Sequence, residues 1–245
     1  MKKLFISLGI SFVLLSLSLQ PVLAAYPIVI SFSKFKKEER DVKNFNGVAA
    51  GGPINVVVTL GSTESLRFEG DADAIATLIT EVKGNILIIR PENSWKSWSR
   101  KYENKKITAY VSAKTIKSLT MSGSGNLSVN GKIKENTLTT TLSGSGSITA
   151  NADIANYTGV ISGSGNLNIS GGADDATITI SGSGAFTRKG FSVSRLTTVV
   201  SGSGSVTIVA QDKIDAVISG SGSINYSGNP KVEQRVSGSG RVRRI

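Results

Sequence analysis

The sequence predicts an all-β protein, a parallel β-solenoid whose chain winds through coils of about 19 residues. Two observations lead to this prediction. The tetrapeptide Ser-Gly-Ser-Gly recurs seven times, and apolar residues keep the same positions around every copy. A period of this length is too short for a helical hairpin and suits one turn of a β-solenoid.

The seven copies mark equivalent places in successive coils. Their spacings are 21, 19, 19, 20, 18 and 18 residues, and they begin at Ser122, Ser143, Ser162, Ser181, Ser201, Ser219 and Ser237. The residue before each copy is apolar, as is the second residue after it. With 39% hydrophobic residues, fourteen matches in fourteen positions would arise by chance roughly once in 500,000 trials.

The apolar positions also predict which way the motif faces. Apolar side chains recur five residues before most copies, so the side-chain period is two, as in a strand. Continued through the motif, this parity turns both glycines inward and both serines outward. A side chain larger than hydrogen would then collide with the neighbouring wall of the coil, so the glycines form a corner.

The outward serines should stack into two ladders along one edge of the solenoid. Strands lie about 4.8 Å apart, so seven coils form a column roughly 30 Å long with a flat hydroxyl grid. One interpretation is that the serines hydrogen-bond to one another and to water. The other is a surface that matches the lattice of ice or of a crystalline glycan, although serine lacks the methyl group that would help to order water.

The predicted solenoid domain covers residues 42–245, with irregular opening coils at 42–115 and regular coils at 116–245. Four strands and one short helix, Asp73–Thr80, are expected in the irregular part. The strands are Ile54–Leu60, Leu66–Phe68, Ile86–Ile89 and Ile107–Val111. Residues 25–41 are expected to form a lead segment, which could be an extended strand that covers the first coil.

The first 24 residues have the pattern of a secretory signal peptide. Lys2 and Lys3 precede an apolar run, and the small residues Ala24 and Ala25 supply a cleavage position after one or the other. The apolar run is short for a membrane span, and no transmembrane segment is expected in the mature chain. The protein should therefore be exported, to the periplasm, the cell surface or the medium of a bacterium.

Composition excludes much chemistry. The chain has neither cysteine nor histidine, which removes thiolate nucleophiles, the usual general base near neutral pH and the commonest metal ligand. We therefore predict no catalytic residues, no cofactor and no metal. Asp71 with Asp73, and the run Gly171–Asp175, lack the repeated spacing of calcium-binding turns and are expected to be solvated turn residues.

Net charge favours anionic partners. The charge is +11, or +9 after loss of Lys2 and Lys3, and for an exported protein the expected anions are acidic polysaccharide, lipopolysaccharide or a phospholipid surface and not nucleic acid. The C-terminal arginines could bind such a surface, or they could discourage strand pairing at an open coil edge. They are Arg235, Arg241, Arg243 and Arg244.

The loop from Pro91 to Lys106 is the strongest candidate ligand site. It holds both tryptophans of the protein among cations, and aromatic rings can stack on sugars while cations pair with their acidic groups. Alternatively, the aromatic rings fold back and cap the solenoid. The predicted binding residues are Trp95, Trp98, Arg100, Lys101 and Tyr102.

The sequence resembles the family of putative auto-transporter adhesin head GIN domains. The resemblance lies in Phe45–Val48, in Gly52–Val56 with its turn at Gly61, in Gly84–Ile88 and in the Ser-Gly-Ser-Gly coils. It implies a right-handed β-helix, an adhesive role at the bacterial surface and no catalytic residues.

Together these observations predict a non-catalytic exported module that presents a rigid face, adhesin-like and able to bind an anionic glycan or lipopolysaccharide. Two alternatives remain open. One is a carbohydrate-active enzyme on a β-helix scaffold, which a cluster of carboxylates on one outer face would favour. The other is a purely structural element that associates with copies of itself, so the oligomeric state is open.

Overall fold

Two parallel ladders of strands, joined at one edge by the Ser-Gly-Ser-Gly corners, form the body of the molecule. The computed structural model describes residues 35–92 and 105–245. Its elements are β1 Phe35–Arg40, β2 Gly47–Gly51, β3 Asn55–Leu60, β4 Ser65–Asp71, α1 Ala72–Ala76, β5 Leu78–Lys83, β6 Ile86–Pro91, β7 Ile107–Ala113, β8 Ser118–Gly123, β9 Asn126–Ile133, β10 Thr137–Gly144, β11 Ser147–Gly163, β12 Asn166–Gly182, β13 Ala185–Gly202, β14 Ser205–Gly220, β15 Ser223–Ser227, β16 Lys231–Ser237 and β17 Arg241–Arg244.

Successive motifs lie in strict register, which confirms the predicted solenoid. The first serine of each motif pairs with the first serine of the next coil, from Ser122 with Ser143 through to Ser219 with Ser237. Each long strand from β11 to β14 contributes to both ladders, because it leaves one corner in one ladder and enters the next corner in the other. One repeat of sequence is therefore one coil.

The predicted parity is also confirmed. The apolar residues that flank the motifs from Met121 to Ile224 are buried, whereas the motif serines are exposed. The core is a single cluster of mainly aliphatic side chains. Among its aromatic members, Tyr157, Phe186 and Phe191 pack together with ring centroids 5.2 to 5.9 Å apart.

The glycines form the corner for a reason that differs in part from the predicted one. Gly163 has φ +122°, a conformation that disfavours any side chain, and a Cβ there would lie 2.5 Å from the Gly144 carbonyl oxygen. A Cβ on Gly165 would lie 2.5 Å from the Gly146 oxygen. The obstacle is therefore mainly the backbone of the preceding coil and not an opposite wall.

The opening coils do not stack in the order of the chain. The coil of β2 and β3 stacks between the coil of β8 and β9 and the coil of β6 and β7, so a later segment of the chain forms the outermost coil. Antiparallel strands complete this end, because β5 pairs with β6, β4 with β7 and β1 with β4. The four predicted strands are present, and β1 places a strand in the predicted lead segment.

The predicted helix Asp73–Thr80 was placed too far along the chain. The helix α1 covers Ala72–Ala76, and the Asp71 carboxylate caps it by accepting a hydrogen bond from the Ala74 amide at 3.1 Å. The following residues join β5 instead, because they pair with β6. Sheet pairing at this end thus overrides the local preference for a longer helix.

Candidate functional site

The most regular surface of the molecule is an uncharged field of hydroxyl groups around the corners, here called the hydroxyl surface. It comprises five outward positions per coil, at four and two residues before the motif, at its two serines and at the first residue after it. Over the five coils with motifs at 122 to 201 these make twenty-five positions. All carry serine or threonine except Asn126, Val160, Asn166, Ala185 and Val199.

Strand pairing fixes the spacing of these hydroxyls. Neighbouring coils lie about 4.8 Å apart and alternate residues along a strand about 6.7 Å apart. Within the described residues, the motif serines make no side-chain hydrogen bonds to one another, since the strand spacing exceeds hydrogen-bond distance. The predicted Ser-to-Ser bonding is therefore absent there; Ser147, just after a motif, instead donates to the Asn126 side chain at 2.7 Å.

The loop that carries the predicted binding residues begins and ends at one end of this row of corners. Trp95, Trp98, Arg100, Lys101 and Tyr102 themselves lie outside the described residues. Near the start of the loop, the Glu92 amide donates to the Thr77 carbonyl at 2.9 Å. Near its end, the Lys105 ammonium lies 2.9 Å from the Asp71 carboxylate. Both anchors belong to the outermost coil, where the loop takes the place of a Ser-Gly-Ser-Gly corner.

Arginines surround the corner at the opposite end of the row. These exposed residues lie before and after the last motif in the chain, and they are Arg235, Arg241, Arg243 and Arg244. Within residues 35–92 and 105–245 no carboxylate forms an ion pair with them, and Arg243 donates to the neutral Asn225 side chain at 2.6 Å. Eight coil spacings of about 4.8 Å separate this end from the loop anchors, a distance of about 38 Å.

Carboxylates near the arginines are already paired with lysines. Glu233 lies 3.1 Å from Lys231 and 3.4 Å from Lys213. These hydrogen bonds, first from Lys231 and then from Lys213, lower the pKa of Glu233 below its ordinary value. The free positive charge of this end thus comes from the arginines.

A cleft of about 630 Å³ lies at the N-terminal end of the molecule, here called the end cleft. Its floor is the outer face of β1, β4, β7 and β3, where Glu39 is in register with Arg67, and Arg67 with Tyr110. The Arg67 guanidinium lies 5.0 Å from the centre of the Tyr110 ring. Tyr110 as a whole residue is 36% exposed.

One wall of the end cleft is the connection from β3 to β4, which crosses the end of β7. The Gly61 amide donates to the Ala113 carbonyl at 2.9 Å, and the Ser112 hydroxyl donates to the Thr63 carbonyl at 2.7 Å. Glu64 in this wall accepts a hydrogen bond from the Asn44 amide at 3.0 Å. The wall is therefore held in place from both sides.

The acidic residues considered for calcium have other contacts. Asp71 caps α1 and pairs with Lys105, and Asp175 accepts a hydrogen bond from Arg195 Nε at 2.6 Å. That bond lowers the pKa of Asp175. Among the residues that the structure describes, no three acidic side chains converge in a way that could hold a metal ion. No helix in the same part of the chain is long and apolar enough to cross a membrane.

Fold and surface together define a class: a β-solenoid that presents a rigid, repetitive outer face. The chain belongs to the family described as "Putative auto-transporter adhesin, head GIN domain", whose pattern matches residues 44–230. This match confirms the resemblance found in the sequence. No curated protein matches the chain.

Several solved structures share the fold. A protein from Bacteroides fragilis described as a putative adhesin is 22% identical, with a TM-score of 0.77 over 87% of this chain and 98% of its own. A putative lipid binding protein from Parabacteroides distasonis is 21% identical, with a TM-score of 0.68 over 86% and 96%. A putative adhesin from Parabacteroides merdae is 21% identical, with a TM-score of 0.62 over 86% and 96%. At these identities the likeness shows the fold alone.

Sequence reasoning missed the end cleft. Its residues come from four strands that are neighbours in the sheet but are spread along the chain, so that Glu39 lies 71 positions before Tyr110. Single-sequence periodicity does not reveal that β4 adds antiparallel to β7 and β1 antiparallel to β4. The only available signal was Tyr110, a tyrosine at an outward position of a predicted strand.

Proposed function

We propose that this protein is a non-catalytic adhesion module, exported to the bacterial surface or periplasm, that binds an anionic glycan or lipopolysaccharide. The observation that carries the proposal is the placement of charge along the row of corners. The uncharged hydroxyl surface separates the anchors of the aromatic and basic loop from the unpaired C-terminal arginines. A long anionic chain could therefore contact both ends at once.

A ligand that contacts both ends should bind more tightly than a ligand that contacts either end alone. Solvated arginines or lysines each contribute little to binding, whereas two linked contacts raise the effective concentration of the second. The loop supplies both of the protein's tryptophans, and these are the residue type that contributes most at binding hot spots. Membership of an adhesin family supports a non-enzymatic role.

The test is binding of purified lipopolysaccharide and of polygalacturonate, an acidic polysaccharide, to the mature protein. We expect the double variant Trp95→Ala/Trp98→Ala to lose on the order of 30-fold in affinity or more, because loss of a hot-spot tryptophan costs about 2 kcal/mol or more. Its melting temperature should stay almost unchanged.

A matched variant addresses the other end. Arg241→Ser/Arg243→Ser should weaken binding less than the tryptophan variant and make it less dependent on salt. Failure of the wild-type protein to bind either ligand would overturn the proposal. A large drop in melting temperature of the tryptophan variant would indicate that the rings cap the solenoid.

A second candidate function, a carbohydrate-active enzyme, has one observation in its favour: Glu39, Asp41 and Glu64 line the end cleft together. Against it, the Glu64 carboxylate is only 10% exposed and pairs at 3.9 Å with Lys114, contacts that suit support of the wall better than proton transfer. Release of reducing ends from polygalacturonate by the wild-type protein, lost in Glu39→Gln, would establish the enzyme.

A further inference from the structure

The end cleft has the size and the preformed walls of a small-ligand site. Its volume of about 630 Å³ lies within the range of roughly 300 to 1,000 Å³ that is typical of such sites. Its floor is strand-paired on four neighbouring strands, and its wall is fixed by the contacts of Ser112 and Glu64. A ligand would therefore meet a rigid surface, which lowers the entropic cost of binding.

Tyr110 gives the end cleft an apolar platform. The Arg67 guanidinium lies over its ring and is itself held by Glu69 at 3.2 Å. An aromatic ring beside polar groups can pack against the C–H face of a sugar while its surroundings bind the hydroxyls. Tyr110 is an exposed large aromatic residue on the floor of a concave surface, whereas exposed Phe35 does not line the cleft.

Hydrogen-bonding groups line the end cleft beside the ring. The exposed Glu39 carboxylate makes no ion pair or hydrogen bond within the described part of the chain, so it can accept from two hydroxyls. Arg67 is a donor on the neighbouring strand, and Ser65 and Thr59 add hydroxyl groups to the lining. Donors and acceptors thus alternate around an apolar patch.

Charge narrows the class of ligand. Asp41 pairs with Lys43 at 3.1 Å and Glu64 with Lys114, so the Glu39 carboxylate is the acidic group of the lining that would repel an anionic sugar. The guanidinium of Arg67 over the ring would compete with a cationic ligand. We infer that the end cleft binds one neutral pyranose residue of a glycan, with its apolar face on Tyr110 and its hydroxyls on Glu39 and Arg67. The inference rests on the proposed function only in taking a glycan as the ligand, and it assigns the neutral residue to a site other than the two anionic contacts.

The experiment is saturation-transfer NMR on the mature protein, with methyl glycosides of glucose, galactose and N-acetylglucosamine as probes. At least one should receive saturation, strongest at its ring C–H protons. Tyr110→Ala and Glu39→Gln should each weaken binding about tenfold or more, because one removes the platform and the other the ionised acceptor. Tyr110→Phe should retain most of the affinity, since it keeps the ring.

The matched control is Phe35→Ala, which removes an aromatic residue that is 67% exposed on a floor strand but outside the cleft. It should leave saturation transfer unchanged. Transfer to none of the three glycosides, or equal transfer in Tyr110→Ala and wild type, would overturn the inference. The variant Trp95→Ala/Trp98→Ala separates the two proposals, because it should lose lipopolysaccharide and keep the methyl glycoside.

Discussion

The regular coils and the N-terminal end solve the same problem, burial of one column of apolar side chains, in different ways. From β8 onward every coil repeats the last one, so parity alone decides which side chain is buried. At the N-terminal end, later strands stack outside earlier ones, and antiparallel strands complete the sheet. The difference shows that repetition produces a uniform surface, whereas the irregular end produces the cleft and the loop anchors.

The largest expected effect on stability comes from substitution of a glycine in the regular coils, compared with substitution of a glycine at the irregular end. Gly163→Val in the regular coils should destabilise the protein by about 3 kcal/mol or more, because a branched side chain would be forced to positive φ and against the Gly144 oxygen at 2.5 Å. Gly61→Ala at the irregular end should be nearly neutral, since its Cβ would meet only the Ser112 hydroxyl at 3.6 Å. Chemical denaturation of both variants measures the contrast.

Ser164→Ala is the control within the same corner. Its side chain is exposed and has no protein partner in the described region, so the free energy of unfolding should change little. If Gly163→Val unfolds at the wild-type denaturant concentration, the corner tolerates side chains and the account of its geometry is wrong.

These corners were predictable because a local pattern that repeats at a fixed period indicates which residues of successive coils are aligned. Apolar residues on both sides of seven motifs fix the inside and the outside of the coil without any knowledge of distant contacts. The positive φ of Gly163 and its contact with the preceding coil were not predictable, since both depend on how tightly neighbouring coils stack.

The irregular end was predictable only as a set of strands. Nothing in the residues of β6 and β7 indicates that they stack outside β2 and β3, because that order depends on long-range pairing. The predicted helix ran too far for the same reason, since Leu78 to Thr80 are recruited by β6. The candidate loop residues, from Trp95 to Tyr102, remain a prediction from composition.

Two buried threonines in the regular coils should give smaller changes in the free energy of unfolding, with opposite signs. The buried Thr140 hydroxyl bonds to the Tyr157 hydroxyl at 2.6 Å, and burial raises the pKa of Tyr157. Thr140→Val should cost about 1 to 3 kcal/mol because it leaves the tyrosine hydroxyl unpaired. Thr198→Val should instead stabilise by about 1 kcal/mol, since the buried Thr198 hydroxyl has no hydrogen-bond partner among the described residues.

The two valine variants are nearly isosteric with threonine, so each serves as the control of the other. Thermal unfolding at one pH should place Thr140→Val below and Thr198→Val above the wild-type protein. Equal destabilisation of both would mean that the Thr198 hydroxyl is satisfied in solution, for example by a buried water.

The smallest expected effect concerns the exposed ion pair between adjacent regular coils, Asp175 with Arg195. The hydrogen bond from Arg195 holds the pKa of Asp175 below its ordinary value, and the same contact raises the pKa of Arg195. A carboxylate with a depressed folded-state pKa stabilises the protein above its unfolded pKa of about 3.9, and this contribution disappears as the pH falls through the lower folded pKa.

Asp175→Asn should therefore be slightly less stable than wild type above about pH 5, and the difference should vanish in stronger acid or high salt. Asp174→Asn, at the adjacent exposed carboxylate, is the control and should change stability at neutral pH less than Asp175→Asn, because Arg195 hydrogen-bonds to Asp175 and not to Asp174. A wild-type and Asp175→Asn difference that stays constant from neutral pH into acid would show that the pair does not set the pKa of Asp175.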